Sequence, residues 1–448
     1  MARRQLFVFA HLAEGFIPAG RILLAQERSL LASSFTYDQR YLRRRGRFEL
    51  DPVSLSLENI DEVRGVELFP KNGLTQFGGI RDAAPDAWGR RVIEVQRQSP
   101  AYSLIEADYL LAAGSERVGA LDVRAALNSA PLQGASDVRL LGNLLEGAQR
   151  IEAGAPIPNH LSDIFAAGAG AGGARPKATV RDETNLLWLA KFPSHVDVFD
   201  VPRAEYCTLK LGQRCGLTVP EVDVIQVAGK SVMLIRRFDR YWHRPEQALD
   251  PTASLHETKP GEGQAEGRLP FVSGWTLIAC DDFESRLKGY ADLAHAVRRY
   301  GHPDLIRQDT EELFARMIFN IFVSNEDDHL RNHGFIRDPR FDGWRLSPLY
   351  DVVPRPEIAQ ERFLQLEVGS QGKRATLDNA MSGFSAFTPE RPQAISIVRR
   401  VWGQVRQWKT HFEKDGASFR LIERLAPAFR NLDDICSPAL RAEIRRAD

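Results

Sequence analysis

The feature that most constrains the fold is a polar loop followed at a fixed interval by a single aspartate. The loop runs from Asn325 to His333, directly after a stretch with apolar residues at helical spacing. Asn332 lies five residues after Asp327, and Asp351 lies nineteen residues after Asn332. Between them, two short apolar stretches flank a turn of the kind that joins antiparallel strands. The sequence therefore predicts a helix, a tight polar loop, a β-hairpin and a second acidic position, in that order.

Residues of these types at this spacing indicate phosphoryl transfer from ATP. That reaction needs one carboxylate to orient the attacking hydroxyl, and an Asn and a second Asp to hold the Mg²⁺ that neutralises the phosphate oxygens. In protein kinases the first carboxylate lies five residues before the Asn, as Asp327 lies before Asn332. The alternative is an ordinary polar loop after a helix, since Asp, Asn and His are common in loops. Segments upstream weigh against that alternative.

A glycine-rich run is the second strong signal. It begins at Gly168, includes the pair Gly172 and Gly173, and ends at Lys177. Successive glycines let backbone N–H groups close around phosphate oxygens, and a lysine adds a positive charge. The run is not a Walker A motif, because Ala178 follows the lysine where that motif has Ser or Thr. A flexible linker is the alternative interpretation, but the run directly precedes a predicted strand with a second lysine.

That second lysine, Lys191, interrupts the otherwise apolar stretch from Leu186 to Phe192. Burying an unpaired ammonium is costly, so a lysine at this position is expected to meet an anion. In kinases such a strand lysine holds the α- and β-phosphates and pairs with a Glu from a helix. Glu205, in a predicted helix, is the available partner. A lysine that reaches solvent from an edge strand is the alternative.

A third segment, Arg236 to Phe238, directly follows the apolar run from Met233 to Ile235. Backbone at the end of a buried strand is able to hydrogen-bond an adenine edge, with Phe238 packing beside the base. A charged strand end without a ligand is an equally good interpretation of this segment alone.

Composition limits the class of protein. The 448-residue chain is 43% hydrophobic and 26% charged, which is ordinary for a folded chain with a substantial core. Its 59 Lys and Arg residues balance 59 Asp and Glu residues, so no bulk charge attracts nucleic acid or a membrane. The four cysteines have neither metal-ligand spacing nor the density of a disulfide framework. With no leader or long apolar run in the sequence, we expect a cytoplasmic protein that does not enter a membrane.

The distribution of apolar runs and turn residues predicts an α+β chain of three parts. Residues 1–135 form a β-rich domain, and residues 136–240 contain the glycine-rich run and buried strands. Residues 241–448 begin with a polar stretch, 241–270, expected to be a long mobile loop, and then become mostly helical. The individual elements predicted are strands at 6–10, 20–24, 52–57, 187–192 and 232–235, and helices at 82–98 and 201–215.

Taken together, these segments resemble the HipA family, bacterial Ser/Thr kinases of toxin–antitoxin systems. The similarity covers most of the chain. The motifs that carry it are Gly173-Ala174-Arg175-Pro176-Lys177, Lys191 before Phe192-Pro193, Arg237-Phe238-Asp239-Arg240, Asp327-Asp328-His329-Leu330-Arg331-Asn332 and Pro348-Leu349-Tyr350-Asp351. The last two, at their spacing, are highly specific, and the glycine-rich motif is moderately so.

The resemblance implies a small β-rich N-terminal domain followed by a protein-kinase-like bilobal domain with a mostly helical C-lobe. It implies that Asp327 is the catalytic carboxylate and that Asn332 and Asp351 are Mg²⁺ ligands. The ATP site that it implies is lined by Gly172, Gly173, Ala174, Arg175, Pro176, Lys177, Lys191, Arg236, Arg237, Phe238, His329, Leu330, Arg331, Asn332, Tyr350 and Asp351.

The resemblance also implies ATP and Mg²⁺ as cofactors and a cytosolic protein as substrate, such as an aminoacyl-tRNA synthetase or another translation factor. It implies a DNA-binding antitoxin as partner, with DNA reached only through that antitoxin. The chain departs from the family at one point. The serine that the family phosphorylates on itself lies just before the paired glycines, where this chain has Gly168-Ala169-Gly170-Ala171. Either the chain is regulated differently or the loop has been altered.

Two other functions stay open on the sequence alone. One is a nucleotide-binding scaffold or co-repressor in the antitoxin complex that has lost the kinase reaction. The missing serine suits that function, but the intact Asp327, Asn332, Asp351 and Lys191 oppose it. The other is phosphorylation of a small molecule, as by aminoglycoside phosphotransferases, which share the Asp-to-Asn spacing. The β-rich N-terminal domain and the HipA-like loop disfavour it.

Overall fold

The computed structural model describes residues 2–27, 30–132, 134–158, 161, 174–341 and 343–446. The chain divides into two compact units, each assembled from three segments. The first unit comprises Met1–Val196, Ile225–Ala279 and Ile336–Arg340, and the second comprises Asp197–Val224, Cys280–Phe335 and Phe341–Asp448. The predicted partition into 1–135, 136–240 and 241–448 stays a prediction.

Strands and helices both contribute to the fold, as the α+β prediction requires. The strands are β1 (Ala2–Leu12), β2 (Gly15–Glu27), β3 (Leu30–Tyr37), β4 (Leu121–Arg124), β5 (Ser136–Asp137), β6 (Lys177–Arg181), β7 (Leu187–Lys191), β8 (Val222–Val227), β9 (Lys230–Arg236), β10 (Arg240–His243), β11 (Ala265–Arg268), β12 (Phe271–Ser273), β13 (Gly334–Asp338) and β14 (Gly343–Leu346).

The α-helices are α1 (Ile60–Val63), α2 (Gly78–Asp82), α3 (Ala87–Gln96), α4 (Glu106–Ala112), α5 (Leu141–Glu152), α6 (Val201–Arg214), α7 (Gly274–Ile278), α8 (Asp282–Ser285), α9 (Tyr290–Tyr300), α10 (Ile306–Val323), α11 (Leu377–Ser382), α12 (Arg391–Val405), α13 (Trp408–Lys414), α14 (Phe419–Leu425), α15 (Leu432–Ile435) and α16 (Pro438–Arg445). Among the described residues, no helix combines the length and the apolar character that a membrane crossing requires.

The first unit opens with an antiparallel sheet of strand order β3-β2-β1-β4. Alternate residues of β1, among them Leu6 and Val8, are buried in one hydrophobic core with Ile22 of β2. The predicted strands at 6–10 and 20–24 are thereby confirmed.

The strand predicted at 52–57 is wrong, because this segment forms turns. The carboxylate of Asp51 accepts hydrogen bonds from the backbone N–H groups of Val53, at 2.8 Å, and Ser54, at 2.9 Å. It also accepts one from Gly79 at 3.3 Å. A short acidic side chain that binds the backbone two and three residues onward favours a turn over an extended strand. The alternation of apolar residues in this segment therefore did not indicate a strand.

A second sheet has the order β5-β6-β7-β9, with β8 next to β9, and the strands β5, β6, β7 and β9 lie in the first unit. Helices α3 and α5 pack against one face of this sheet. Trp88 of α3 and Leu144 of α5 share one hydrophobic core with Ala190 of β7. The predicted strands at 187–192 and 232–235 are confirmed as β7 and part of β9. The helix predicted at 82–98 is shorter, because Asp86 caps α3 by accepting a hydrogen bond from Gly89 N–H at 2.7 Å.

The polar stretch 241–270 is not a structureless loop, which corrects the prediction. Strand β10 pairs with β11 in antiparallel register, so that Arg240 lies opposite Arg268 and Trp242 opposite Glu266. The hydroxyl of Thr258 accepts a hydrogen bond from the backbone N–H of Trp242 at 2.7 Å. Two charged residues of β11 form ion pairs with residues outside the stretch, Glu266 with Arg181 and Arg268 with Glu116.

In the second unit, α10 is the central helix, and its residues from Leu313 to Val323 are buried all round. The helix ends at Ser324, which has a left-handed backbone with a φ of 51°. The polar loop follows, and β13 and β14 come next as neighbouring strands. Ser347 N–H donates to Gly334 O at 2.9 Å, which closes this hairpin. The predicted helix, loop and hairpin are confirmed in their order.

Candidate functional site

The loop that carries the predicted catalytic residue is folded on itself by short hydrogen bonds. The carbonyl of Asp327 accepts from the backbone N–H of His329 at 3.0 Å and from the side-chain amide of Asn332 at 2.9 Å. The backbone N–H of Asn332 donates to His329 O at 2.9 Å. The Asp and the Asn of the predicted motif therefore lie together because the loop turns back between them.

The side chain of Asp327 is 65% exposed. Its carboxylate lies 3.8 Å from a guanidinium nitrogen of Arg355, which is itself about half exposed. The backbone N–H of Arg355 donates to Ser324 O at 3.1 Å, so the segment after Asp351 lies against the start of the loop. A carboxylate in this position is accessible to a substrate hydroxyl, as the predicted role requires.

The neighbouring Asp328 has the opposite environment and is only 3% exposed. One carboxylate oxygen lies 3.0 Å from His333 Nε2, and the other accepts the hydroxyl of Tyr290. Asn320 donates to the same Tyr290 hydroxyl at 3.1 Å. We call these four residues the loop cluster. Asp328 has no exposed oxygen with which to meet a substrate, so Asp327 is the carboxylate of the pair that fits the role of base.

Two groups of the loop cluster, Asp328 and Tyr290, have shifted pKa values. Burial acts to raise the pKa of the Asp328 carboxyl, but the charge and hydrogen bonds of His333 and the Tyr290 hydroxyl hold that pKa below its ordinary value. Burial, followed by the neighbouring Asp328 carboxylate, raises the pKa of Tyr290 well above its ordinary value. Asp328 is therefore ionised and Tyr290 neutral at physiological pH.

The predicted metal ligand Asp351 follows the hairpin and has a left-handed backbone with a φ of 62°. Its neighbour Tyr350 donates its hydroxyl to Arg331 O at 2.8 Å. This bond ties the residue before Asp351 to the residue before Asn332. Non-glycine residues with such backbone angles are uncommon and concentrate at functional sites.

Asn332 and Asp351 have the chemistry that Mg²⁺ prefers, which is an all-oxygen set. The amide nitrogen of Asn332 is engaged by Asp327 O, so the amide oxygen is the atom of this side chain suited to a cation. Over the described residues, no group of three or more His, Cys, Asp and Glu side chains is placed to hold a metal. Mg²⁺ in nucleotide sites is usually held by one or two carboxylates together with phosphates, so these residues fit Mg²⁺–ATP better than a free ion.

The glycine-rich run is only partly within the described residues. Gly172 and Gly173 lie outside them, and so do positions 168–171, where the family has its serine. Ala174 and Arg175 form a bend, and Pro176 leads into β6. The predicted contact of these residues with phosphate stays a prediction.

Lys177 begins β6 and is 3% exposed. Its ammonium pairs with Asp86 at 3.0 Å, and its carbonyl accepts the indole N–H of Trp88 at 2.9 Å. In the ladder between β6 and β7, Lys177 lies directly opposite Lys191. Residues opposite each other in an antiparallel pair point to the same face, and like charges there destabilise the pair. The structure thus places the two predicted phosphate-binding lysines side by side on one face of the sheet.

The segment Arg236 to Phe238 sits where β9 ends, and its side chains have protein partners. Arg236 donates to Thr258 O. Arg237 donates to Asp239 at 2.8 and 2.6 Å, and its backbone N–H bonds Leu187 O at 2.9 Å. The ring of Phe238 lies 6.2 Å from that of Phe271. A nucleotide contact by this segment stays a prediction.

Arg237 and Asp239 belong to a buried network in the first unit, which we call the arginine–carboxylate cluster. Asp239 also accepts from Arg240 at 2.8 Å and from Gly119 N–H at 2.6 Å. Glu116 accepts hydrogen bonds from the same Arg240 and from Arg181 and Arg268. The cluster consists of Glu116, Asp239, Glu266, Arg181, Arg237, Arg240 and Arg268.

The pKa values of the two central carboxyls are low for the same reason. Burial acts to raise the pKa of Asp239, but Arg237 and Arg240 outweigh it and hold that pKa well below its ordinary value. For Glu116, burial is again opposed by Arg240, Arg268 and other arginines, which lower its pKa to about 2. Both carboxyls are charged at neutral pH.

Comparison with known proteins identifies the family. The sequence profile of the HipA-like C-terminal domain matches residues 169–409, more than half of the chain. The chain belongs to the HipA-like family. All seventeen predicted site residues, Asp327 and the sixteen of the ATP site, lie within the matched segment.

Relatives with curated descriptions agree with this HipA-like assignment. A Haemophilus influenzae protein named "Putative kinase" is 28% identical over 170 residues, which cover 36% of this chain and 44% of that protein. "Putative kinase Y4mE" of Sinorhizobium fredii is 25% identical over 217 residues, which cover 47% of this chain and 44% of that protein. The HipA-like chain thus matches less than half the length of each.

A solved structure is similar over nearly the whole HipA-like chain. It is the Shewanella oneidensis toxin–antitoxin complex of HipA, HipB and operator DNA, with a TM-score of 0.61 and 14% identity over 98% of this chain and 95% of that one. The similarity confirms the predicted fold class, a β-rich N-terminal domain followed by a protein-kinase-like bilobal domain.

Sequence reasoning missed the two buried clusters of this HipA-like chain. Asp328 and Asp239 stand inside the quoted motifs, but their neighbours in the motif were given the functional roles. Tyr290 and Asn320 reach the loop from α9 and α10, where nothing in the local sequence distinguishes them from ordinary helix residues. For Asp328, the only sequence signal was a second carboxylate directly beside the predicted base.

Proposed function

We propose that this chain is an ATP- and Mg²⁺-dependent protein kinase of the HipA type that phosphorylates Ser or Thr. The observation that carries the proposal is the assembly of the loop in the second unit. An exposed carboxylate, Asp327, is joined through its carbonyl to Asn332, and the segment of Asp351 is joined to the residue before Asn332. These are the three groups that phosphoryl transfer from Mg²⁺–ATP requires.

In the proposed mechanism, Asp327 orients the substrate hydroxyl and accepts its proton as the oxygen attacks the γ-phosphorus. The bond between that phosphorus and the β,γ-bridging oxygen breaks, and ADP leaves with the electron pair. Asn332 and Asp351 would hold the Mg²⁺, which would supply positive charge to neutralise the phosphate oxygens. Lys191 and Lys177 supply positive charge from neighbouring positions on one sheet face. The ammonium of Lys177 pairs with Asp86 at 3.0 Å, and in the proposed mechanism both lysines act through their positive charge.

The proposed substrate is a cytosolic protein of the translation machinery, such as an aminoacyl-tRNA synthetase, and the proposed partner is a DNA-binding antitoxin that neutralises the kinase. The similar Shewanella oneidensis structure contains HipA with HipB and operator DNA, which supports a partner of this kind and DNA contact through it. From Gly168 to Ala178 the chain has no Ser, Thr or Tyr, so we propose that its regulation does not use self-phosphorylation in that run.

The proposal is tested by Asp327→Gln. Loss of a positioned base typically costs about 10²–10⁴-fold in rate, and we expect phosphotransfer to fall by that amount. ATP binding should stay within about threefold of the parent, because Asp327 does not hold the nucleotide in this mechanism. Phosphoproteomics of cells expressing the parent and the variant, together with calorimetry using a non-hydrolysable ATP analogue, measures both.

A parent protein that binds ATP but transfers no phosphate to any protein would contradict the kinase proposal. It would favour a nucleotide-binding scaffold that acts with the antitoxin. Phosphate transfer by Asp327→Gln within about threefold of the parent would contradict the role of Asp327 alone.

A further inference from the structure

The polar loop, Asn325 to His333, is held by two contacts that join residues near its beginning to residues at its end. The first is the hydrogen bond from the Asn332 amide to Asp327 O at 2.9 Å. The second is the contact between Asp328 and His333 at 3.0 Å, one residue further along on each side. The second link therefore joins the residues directly after those that the first one joins, and it uses only buried side chains.

We propose that Asp328 and His333 are a positioning pair that sets the separation of Asp327 and Asn332 in the reactive geometry. The proposal rests on the proposed kinase function and says how that function's base and metal ligand are held. Neither residue touches substrate or nucleotide in this scheme, since Asp328 is 3% and His333 2% exposed.

The pair is attached to two helices, which fixes where the loop stands. Tyr290 begins α9, donates to Asp328 and packs its ring edge-on against His333 with centroids 5.5 Å apart. Asn320, in α10, donates to Tyr290 and accepts from the side chain of Asn325 at 3.2 Å. The loop is thus held at its first residue by Asn320 and at its centre by Asp328.

The same geometry explains why the pair positions the loop and does not catalyse. Both oxygens of Asp328 are occupied, one by His333 and one by Tyr290, and neither faces solvent. Asp327 is the adjacent residue, so any shift of Asp328 moves its backbone directly. A displacement of about 1 Å in a reacting group can cost on the order of 10²-fold in rate.

The test compares Asp328→Asn with Asp415→Asn in the full chain. Asp415 is a matched control, because it is a buried carboxylate of the same unit that pairs with Arg214 at 2.6 and 2.7 Å and lies outside the loop. Phosphate transfer to myelin basic protein, used as a general acceptor, gives kcat and the KM for ATP. We expect kcat to fall about 10²-fold in Asp328→Asn and to stay within about threefold of the parent in Asp415→Asn, with the KM for ATP little changed in both.

Two further variants show whether the residues act as a unit. His333→Gln should resemble Asp328→Asn, and the double variant should lose no more than the worse single one, because coupled residues are not additive. Tyr290→Phe keeps the ring and removes only the hydroxyl, so it should fold and lose about tenfold in kcat. If Asp328→Asn fails to fold, the loss of kcat in Tyr290→Phe tests the proposal in its place.

Hydrogen exchange separates this proposal from the kinase proposal. The amides of His329 and Asn332 should exchange at least about tenfold faster in Asp328→Asn than in Asp415→Asn, whether or not the parent transfers phosphate. Unchanged exchange, additive losses in the double variant, or an equal loss of kcat in Asp415→Asn would overturn the positioning pair. A parent without transfer but with the expected exchange would overturn only the kinase function.

Discussion

The arginine–carboxylate cluster of the first unit and the loop cluster of the second both bury carboxylates, but they hold them by different means. Asp239 accepts from two guanidinium groups and a backbone N–H. Among the described residues, the carboxylate of Asp328 contacts the imidazole of His333 and accepts a hydrogen bond from the phenol of Tyr290. In the first cluster, Arg240 pairs with both Glu116 and Asp239, and Arg181 pairs with both Glu116 and Glu266, so several of its ions have more than one partner.

The two clusters should respond differently to substitution, because their carboxylates have different partners. A network of permanent charges with shared partners tolerates the loss of a peripheral member but not of a central one, because a buried charge without a partner is costly. In the loop cluster, the single carboxylate of Asp328 has two partners, His333 and Tyr290, so the loss of either one leaves an oxygen of Asp328 without its contact. We therefore expect substitutions in the arginine–carboxylate cluster to act on stability and substitutions in the loop cluster to act mainly on turnover.

The largest stability effect should come from Asp239→Asn. Removing this charge leaves Arg237 and Arg240 buried without their main anion, and breaking a buried pair in this way typically costs about 3–5 kcal/mol. Urea unfolding measures the loss, with Asp137→Asn as a control because its pair with Arg139 is exposed. If Asp239→Asn instead kept its stability and lost turnover, the two clusters would not differ as proposed.

A smaller effect is expected from pH acting on Glu116. Its pKa is lowered to about 2 in the folded protein, below the value of about 4.3 for an unperturbed Glu. The unfolded chain therefore takes up the proton first, and the stability that ionised Glu116 provides is present above about pH 4.3 and disappears as the pH falls toward 2. The difference in free energy of unfolding between the parent and Glu116→Gln should shrink over that interval. A difference that is constant with pH would show that Glu116 stabilises by packing.

The smallest effect should come from Arg181→Met at the edge of the arginine–carboxylate cluster. Arg181 is 22% exposed and bonds both Glu266 and Glu116. Because Glu116 keeps Arg240 and Arg268, we expect a loss of only about 1 kcal/mol in urea unfolding. A loss as large as that of Asp239→Asn would mean that the cluster has no redundancy.

The sequence was enough to predict the features that are local in the chain. The spacing of Asp327, Asn332 and Asp351 is set by one loop and one hairpin, so motif and structure agree on their order. The buried clusters could not be predicted, because their members are far apart. The partners of Glu116 lie 65, 124 and 152 residues away along the chain.

Composition misled the prediction where ion pairs bury charge. The stretch 241–270 was predicted to be a mobile loop because it is polar and rich in Pro and Gly. It contains most of β10 and all of β11, and Glu266 and Arg268 of β11 belong to the arginine–carboxylate cluster. In 52–57, alternating apolar residues suggested a strand, and the preceding Asp51 made a turn instead. A residue that competes for backbone hydrogen bonds outweighed the periodicity.

The left-handed backbone at Asp351 has an evolutionary consequence. Asn and Gly occupy that conformation more readily than other residues, and each is a single nucleotide change away from an Asp codon. One mutation is therefore enough to remove the carboxylate while the chain keeps its shape and every surface with which it meets other molecules. Under the proposed function, such a mutation would remove a metal ligand of the kinase reaction and leave the binding surfaces in place.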